Sequence, residues 1–224
     1  VTAGTAAAFG GVSDTLTALG IPCACCDDGP SGMRLDCGTK AFSLPNGTLL
    51  ASTFDRPLMT ELFTFMGLEM HTNQVDCLLG PGMNIHRHPL NGRNFEYFSE
   101  DSLLSGAMAS NEIAGAKSKG VYSFMKHFAL NDQETNRTNM VCTWANEQSI
   151  RETYLKPFEM SVKEGGAQAV MSSFNYIGYT YAGASSNLLQ TVLRDEWGFK
   201  GFVLTDYFGG YGYQNACLLY TSDA

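Results

Sequence analysis

The segment Val121-Tyr-Ser-Phe-Met-Lys-His-Phe128 carries the main evidence for the fold. It is almost continuously apolar up to Met125, which is typical of a strand buried on both faces of a parallel sheet. Two polar side chains follow, Lys126 and His127. Because neighbouring strand residues point to opposite faces, only one of the two is expected to face inward unless the strand ends or bulges there. The segment therefore predicts a buried parallel strand with chemistry at its carboxyl end.

Similar apolar segments recur along the chain and predict further strands: Ile21–Asp27, Val75–Leu79, Ala169–Phe174 and Phe202–Thr205. Helical patterns separate them, among them the Ala- and Gly-rich stretch Ser102–Lys119 and the amphipathic stretch Asn187–Trp197. Buried strands that alternate with helices predict an α/β fold with a parallel sheet. Two architectures fit this pattern, an open doubly wound sheet and a (β/α)8 TIM-like barrel.

Polar residues favour the barrel, because they follow several different strands: Asp28, Lys126, His127, Asn175 and Asp206. A barrel gathers its chemistry from the carboxyl ends of many strands, whereas an open sheet binds its ligand at one switch point, often with a glycine-rich phosphate loop. No G-x-G-x-x-G loop stands in such a position. A complete barrel has eight strands in about 250 residues. The sequence therefore predicts an incomplete barrel over residues 1–216.

The last eight residues, Cys217-Leu-Leu-Tyr-Thr-Ser-Asp-Ala224, differ in style from the rest of the chain. They match a reading-frame translation of a sequencing adapter. Residues 217–224 are therefore expected to be a non-native tail.

The charge balance argues against two classes of partner. The chain of 224 residues has a net charge of −8 and a pI near 4.9, whereas nucleic acids and anionic membranes recruit clustered positive charge. No segment has the roughly 18 apolar residues that a membrane helix requires, and the first residues lack the basic start of an export signal. The seven cysteines are an odd number for a disulfide framework. We therefore expect free thiols and a cytoplasmic location.

Two short motifs could in principle bind a metal, but neither has the companions that a metal site needs. Cys23-x-Cys25-Cys26 has no second Cys/His pair at zinc spacing, and His86-x-His88 has positively charged neighbours, Arg87 and Arg93. We expect neither a metal nor another cofactor.

Asp206 is the candidate catalytic residue. It ends the apolar segment Phe202–Thr205, where a buried site would place a nucleophile or a base, although an aspartate at that point also often caps the next helix. A buried Lys126 requires a partner, either a ligand or a carboxylate such as Asp132 or Glu134. The loop around Arg93, with its Glu and aromatic residues, suits a polyhydroxylated ring.

Five motifs follow one another along the chain: Asp-Gly-Pro-Ser-Gly (28–32), Gly-Pro-Gly-Met-Asn-Ile-His-Arg (80–87), Gly-Arg-Asn-Phe-Glu-Tyr-Phe-Ser-Glu-Asp (92–101), Lys-His-Phe-Ala-Leu-Asn-Asp-Gln-Glu (126–134) and Val-Leu-Thr-Asp-Tyr (203–207). Together they resemble glycoside hydrolase family 3, the group of β-glucosidases and β-xylosidases. The resemblance implies a retaining, exo-acting β-glycosidase with Asp206 as nucleophile. It also implies a −1 subsite in which Asp28, Arg93, Lys126 and His127 bind the hydroxyls of a terminal β-glucosyl unit. The substrate would be a β-glucoside or an oligosaccharide.

The resemblance places the acid/base Glu outside these residues, in an α/β sandwich domain before or after the barrel. Without it the chain could also be a non-catalytic sugar-binding module or an inactive fragment. Two aromatic residues depart from the family pattern: Phe174 stands where Tyr is frequent, and Tyr207 stands where Trp is frequent. Both are expected to line the sugar site and to shift the preference between glucose and xylose. The loop after Lys126 lacks the second His-Gly of the N-acetylhexosaminidase branch.

Overall fold

Nine strands are described in the computed structural model, which covers residues 9–10, 17–20, 24–35 and 38–206. Their bounds are Phe9–Gly10 (β1), Cys25–Asp28 (β2), Cys77–Leu79 (β3), Tyr122–Phe128 (β4), Cys142–Thr143 (β5), Ala169–Ser172 (β6), Tyr176–Ile177 (β7), Thr180–Tyr181 (β8) and Phe202–Leu204 (β9). The main sheet has the order β1–β2–β3–β4–β6–β9. β1 is antiparallel to β2, and all later neighbours are parallel.

Helices connect the parallel strands. Their bounds are Gly47–Ala51 (α1), Arg56–Thr72 (α2), Ser102–Lys117 (α3), Glu147–Ser149 (α4), Lys156–Lys163 (α5) and Asn187–Glu196 (α6); Ile150–Tyr154 extends α4 with wider, π-type turns, α6 has the same wide turns, and Ala182–Ala184 forms a 3₁₀ turn. The side chains of Asp55 and Asp101 cap α2 and α3 by accepting hydrogen bonds from the backbone N–H groups of Leu58 and Leu104. These caps fix where the two longest helices begin.

Apolar side chains bury both faces of the main sheet. Alternate residues such as Leu78, Met125 and Val170 belong to a large outer cluster under the helices. The residues between them form a smaller inner cluster: Cys26, Cys77, Leu79, Phe124, Ala169 and Met171. Two buried faces explain why the strands read as continuous apolar segments rather than alternating ones. The inner cluster is the packed interior that a barrel requires.

Small residues bring α2 and α3 close together. A Cβ atom at Gly115 would lie 2.6 Å from the carbonyl oxygen of Thr60, and one at Gly67 would lie 3.1 Å from that of Ala116. A side chain at Gly115 would therefore force the two backbones apart, and one at Gly67 would be tightly confined. The glycines and alanines of α3 therefore set the distance between the two helices.

The α/β fold with a TIM-like, mainly parallel sheet is confirmed. The predicted strand Ala169–Phe174 ends earlier, at Ser172, and beyond it the side chains of Ser173 and Asn175 donate hydrogen bonds to the carbonyl of Ala129. The small sheet β5–β7–β8 was not predicted. Residues 21–23 of the first predicted strand and the tail 217–224 lie outside the described residues. Among the residues that the structure describes, every helix is too short or too polar to cross a membrane.

Candidate active site

Lys126 and Asp28 form an ion pair at the carboxyl ends of β4 and β2. The Lys126 Nζ donates to Asp28 Oδ1 at 2.8 Å, and the lysine side chain is only 5% exposed. The two residues are 98 positions apart in the chain, and the parallel arrangement of β2, β3 and β4 brings their ends together. The structure therefore gives Lys126 a carboxylate partner, as its burial requires, but the partner is Asp28 rather than Asp132 or Glu134.

His127 lies against Asp206 at the same edge of the main sheet, where the carboxyl ends of the parallel strands meet. This edge is called the mouth below. The distance from His127 Nε2 to Asp206 Oδ2 is 3.7 Å, and both side chains are buried. The Asn84 side chain holds the backbone of His127 on both sides, since its Nδ2 donates to His127 O at 2.9 Å and its Oδ1 accepts from His127 N at 2.8 Å. The pairing of β4 with β6 shifts register between Met125 and Phe128. Because of this irregularity, neighbouring residues 126 and 127 both contribute to the site.

The long loop after β3 delivers Arg93 to the pocket. Its Nε donates to Glu96 Oε1, and its guanidinium lies 5.6 Å from the ring centre of Tyr97. The Tyr97 hydroxyl is 3.3 Å from His127 Nδ1. Thr48 of α1 anchors this loop by donating to the carbonyl of Tyr97 at 2.9 Å. The loop is thus a built part of the site, with α1 holding it from outside.

The charges of the site are set by their neighbours. Burial opposes ionisation of Asp28, but Lys126, the Gly29 N–H and Arg93 together hold the pKa of that carboxyl below its usual value. Burial, together with the positive charges of Arg93, Lys126 and Arg137, holds the pKa of His127 well below its usual value. The site therefore contains an ionised Asp28 and a neutral imidazole beside Asp206.

Phe174 lies two residues beyond β6, and it is buried. The Arg137 guanidinium lies over its ring at 4.9 Å from the ring centre. Arg137 pairs with Glu134 at 3.2 Å, and Glu134 Oε1 lies 3.8 Å from Arg93 Nη1. Through Arg137 and Glu134, Phe174 is thus connected to the loop that carries Arg93. Tyr207, the other predicted aromatic residue, lies outside the described residues.

Arg137 was missed as part of the site, Glu134 was considered only as a possible partner of Lys126, and Tyr97 was included only as one aromatic residue of its loop. The motif around residues 126–134 contains Glu134, but nothing in the sequence indicates that it turns back toward Arg93. Tyr97 is fully buried although it carries a hydroxyl, and its contact with His127 Nδ1 explains that position. These roles depend on contacts between distant loops.

In the motif His86-x-His88, both imidazole rings contact backbone groups. His86 Nε2 lies 3.0 Å from the carbonyl of Tyr97, and His88 Nδ1 accepts from Leu90 N at 3.1 Å. In the described part of the chain, no three His, Cys, Asp or Glu side chains are grouped as a metal site.

These observations define a class, namely a TIM-like α/β domain whose carboxyl-end mouth holds paired charges around a buried aspartate. The chain belongs to glycosyl hydrolase family 3: the profile described as "Glycosyl hydrolase family 3 N terminal domain" matches residues 8–216. A β-glucosidase of Ruminococcus albus is 59% identical over 208 residues, which are 93% of this chain and 22% of that protein.

Solved structures agree. A β-glucosidase from Paenibacillus barengoltzii superposes with a TM-score of 0.88 at 53% identity, covering 92% of this chain and 22% of its own. β-Glucosidase 3B from Thermotoga neapolitana, solved in complex with α-D-glucose, has a TM-score of 0.88 at 41% identity, covering 93% of this chain and 30% of its own. The chain thus spans between about a fifth and a third of the length of these relatives.

Proposed function

We propose that this chain is the nucleophile-bearing barrel domain of a retaining, exo-acting β-glucosidase. The observation that carries the proposal is the convergence of Asp206, His127, Lys126, Asp28 and Arg93 on one mouth of the sheet. Asp206 would attack the anomeric carbon of a terminal β-glucosyl unit while the glycosidic C–O bond breaks and an acid/base residue protonates the departing oxygen. Water, deprotonated by the same acid/base residue, would then hydrolyse the covalent glycosyl-enzyme and free Asp206. Relatives that are named β-glucosidases support this assignment.

The paired charges suit the binding of sugar hydroxyls. An ionised Asp28 accepts hydrogen bonds, whereas Lys126 and Arg93 donate them, so the pocket offers both kinds of group to a polyhydroxylated ring. The neutral imidazole of His127 can donate or accept a further hydrogen bond, and it places no additional charge beside Asp206. Their fixed geometry also limits the sugar to one orientation relative to Asp206.

The acid/base residue is proposed to lie in another part of a longer chain. Three carboxyls near the pocket are engaged by cations: Asp28 by Lys126, Glu96 by Arg93, and Glu134 by Arg137. Lys126 helps to hold the pKa of Asp28 below its usual value, which makes Asp28 a poor proton donor, and the other two carboxyls are already engaged in ion pairs. The relatives are three to five times longer than the matched segment, which leaves room for a further domain such as an α/β sandwich.

Mutation of Asp206 tests the nucleophile assignment. In the full-length enzyme, Asp206→Asn should lower kcat for an aryl β-glucoside by roughly 10⁴-fold, because the covalent step is lost. Asp195→Asn, at an exposed position of α6, is the matched control and should keep full activity. A slow 2-fluoro glucoside should label Asp206, as identified by peptide mass spectrometry.

The same assay separates the alternatives. Labelling of another residue, or near-normal activity of Asp206→Asn, would overturn the nucleophile assignment. Glucose binding without hydrolysis by the full-length protein would favour a sugar-binding module. Parallel kinetics with aryl β-xyloside and aryl N-acetyl-β-glucosaminide identify the sugar.

A further inference from the structure

A second cleft opens beside the proposed sugar pocket, and the mechanism above does not use it. Its volume is about 640 Å³. Its walls come from the loop after β3, the loop after β4, and β5; among the lining residues are Arg87, His88, Gly92, Asp132, Glu134 and Trp144. The cleft is thus lined by charged and polar groups and by one large aromatic ring, that of Trp144.

The aromatic ring is exposed and held in place. Trp144 directly follows β5 and is 56% exposed, and Tyr179, in the turn between β7 and β8, is 86% exposed. Their rings meet edge to face with centres 5.0 Å apart. Arg87 Nη2 donates to the carbonyl of Trp144 at 3.2 Å, while its Nη1 pairs with Asp132 at 3.3 Å. A large indole fixed in this way offers a flat apolar surface to a ligand.

The cleft adjoins the pocket through Glu134. This carboxylate lines the cleft, and on its other side it lies 3.8 Å from Arg93 Nη1. Gly92, also in the wall, immediately precedes Arg93, and a Cβ atom there would lie 3.8 Å from the Glu134 side chain. A ligand that extends out of the sugar pocket past Arg93 would enter this cleft.

We propose that this cleft is the subsite for the leaving group of a β-linked oligosaccharide, with Trp144 as the surface on which the departing sugar ring stacks. The apolar C–H face of a pyranose fits an exposed indole, and Arg87, Asp132 and Glu134 supply polar partners for its hydroxyls. This assignment rests on the proposed glucosidase function. It makes Trp144 a specificity-determining residue.

The test compares two substrates of the full-length enzyme. A β-linked glucose disaccharide has a leaving sugar, whereas β-glucosyl fluoride has none. Trp144→Ala should lower kcat/KM about tenfold for the disaccharide and leave the fluoride unchanged, because only the former uses the cleft. Tyr179→Ala, which carries little folding risk at 86% exposure, should lower the disaccharide value about twofold. Tyr122→Ala, half exposed at the opposite end of β4, is the control and should change neither.

Three results would overturn the subsite. An equal fall for both substrates would make Trp144 a support of the sugar pocket only. An unchanged disaccharide value in Trp144→Ala and Tyr179→Ala would exclude stacking. A lower melting temperature of Trp144→Ala with an unchanged ratio between the substrates would mean that another part of the longer chain fills the cleft.

A failure of the proposed function is distinguishable from these results. The wild type would then hydrolyse neither substrate, and disaccharide binding, measured by calorimetry, becomes the readout. Binding that is lost in Trp144→Ala but kept in Tyr122→Ala would still support the subsite, whereas equal binding by both variants would overturn it.

Discussion

Two acidic side chains, Asp28 and Glu112, differ in their partners and in the direction in which the protein shifts their pKa. Asp28 lies at the mouth, where Lys126 and the Gly29 N–H hold it. Glu112 lies in α3 under the outer helices, 2% exposed, and its Oε1 has no hydrogen-bond partner among the described residues. Burial raises the pKa of Glu112 well above its usual value, and Lys126 opposes this only in part.

The difference teaches that burial alone does not decide protonation. A buried acid becomes neutral when nothing pairs with it and stays charged when a cation and an N–H group face it. At the mouth, Asp28, Glu96 and Glu134 each pair with a cation. The helix layer is held by close packing of small and apolar side chains.

Among the changes that test this contrast, the largest effect is expected from breaking the ion pair of Lys126 and Asp28. The proposed function predicts that, in the full-length protein, Lys126→Met lowers kcat/KM for an aryl β-glucoside by about 10²- to 10³-fold, because the bound sugar would lose a charged donor and Asp28 would lose its counter-ion. Lys40→Met, at an exposed position, is the matched control for loss of a lysine charge. A loss of less than about threefold for Lys126→Met would contradict the role of the pair.

A smaller effect, on stability, is expected from adding volume without charge between α2 and α3. Gly115→Ala would place a Cβ atom 2.6 Å from the Thr60 carbonyl oxygen, so α2 and α3 must move apart. We expect destabilisation by about 2 to 3 kcal/mol, seen as a melting temperature lower by roughly 5 °C or more. Ala114→Gly, on the exposed face of the same helix, should cost only about 1 kcal/mol. Equal effects of the two variants would refute close packing at Gly115.

The two smallest effects sharpen the contrast between the two acids, Glu112 and Asp28. The folded state raises the pKa of Glu112, so stability is lost as pH rises above the usual value near 4.5. Glu112→Gln removes that loss and should raise the free energy of unfolding at pH 8 by about 1 to 2 kcal/mol, with no gain at pH 4. Urea titrations at both pH values measure this.

Asp28→Asn is the opposite case. Its folded pKa is lowered, so its contribution is present above the usual value of 3.8 and is lost as pH falls below it. Because the Asp28 side chain is 39% exposed, we expect a loss of less than about 1 kcal/mol at pH 8. Stabilisation by Asp28→Asn, or destabilisation by Glu112→Gln, would contradict the comparison.

Much of the site was predictable because its residues follow apolar strands. The pattern of apolar strands with polar ends indicated Asp28, Lys126, His127 and Asp206, and parallel strands necessarily bring such ends to one edge of a sheet. What the pattern did not indicate is which acid pairs with which base. The partner of Lys126 depends on the order of β2, β3 and β4 rather than on the distance along the chain.

The sequence by itself determined the α/β alternation, the parallel sheet and the candidate aspartate, because these depend on local hydrophobic periodicity and on where each strand ends. Only the tertiary structure decided the contacts of Tyr97, Glu134 and Arg137, the small sheet β5–β7–β8, and the cleft beside Trp144. Those features join segments tens of residues apart. Their geometry depends on how loops fold back over the sheet, which no local pattern encodes.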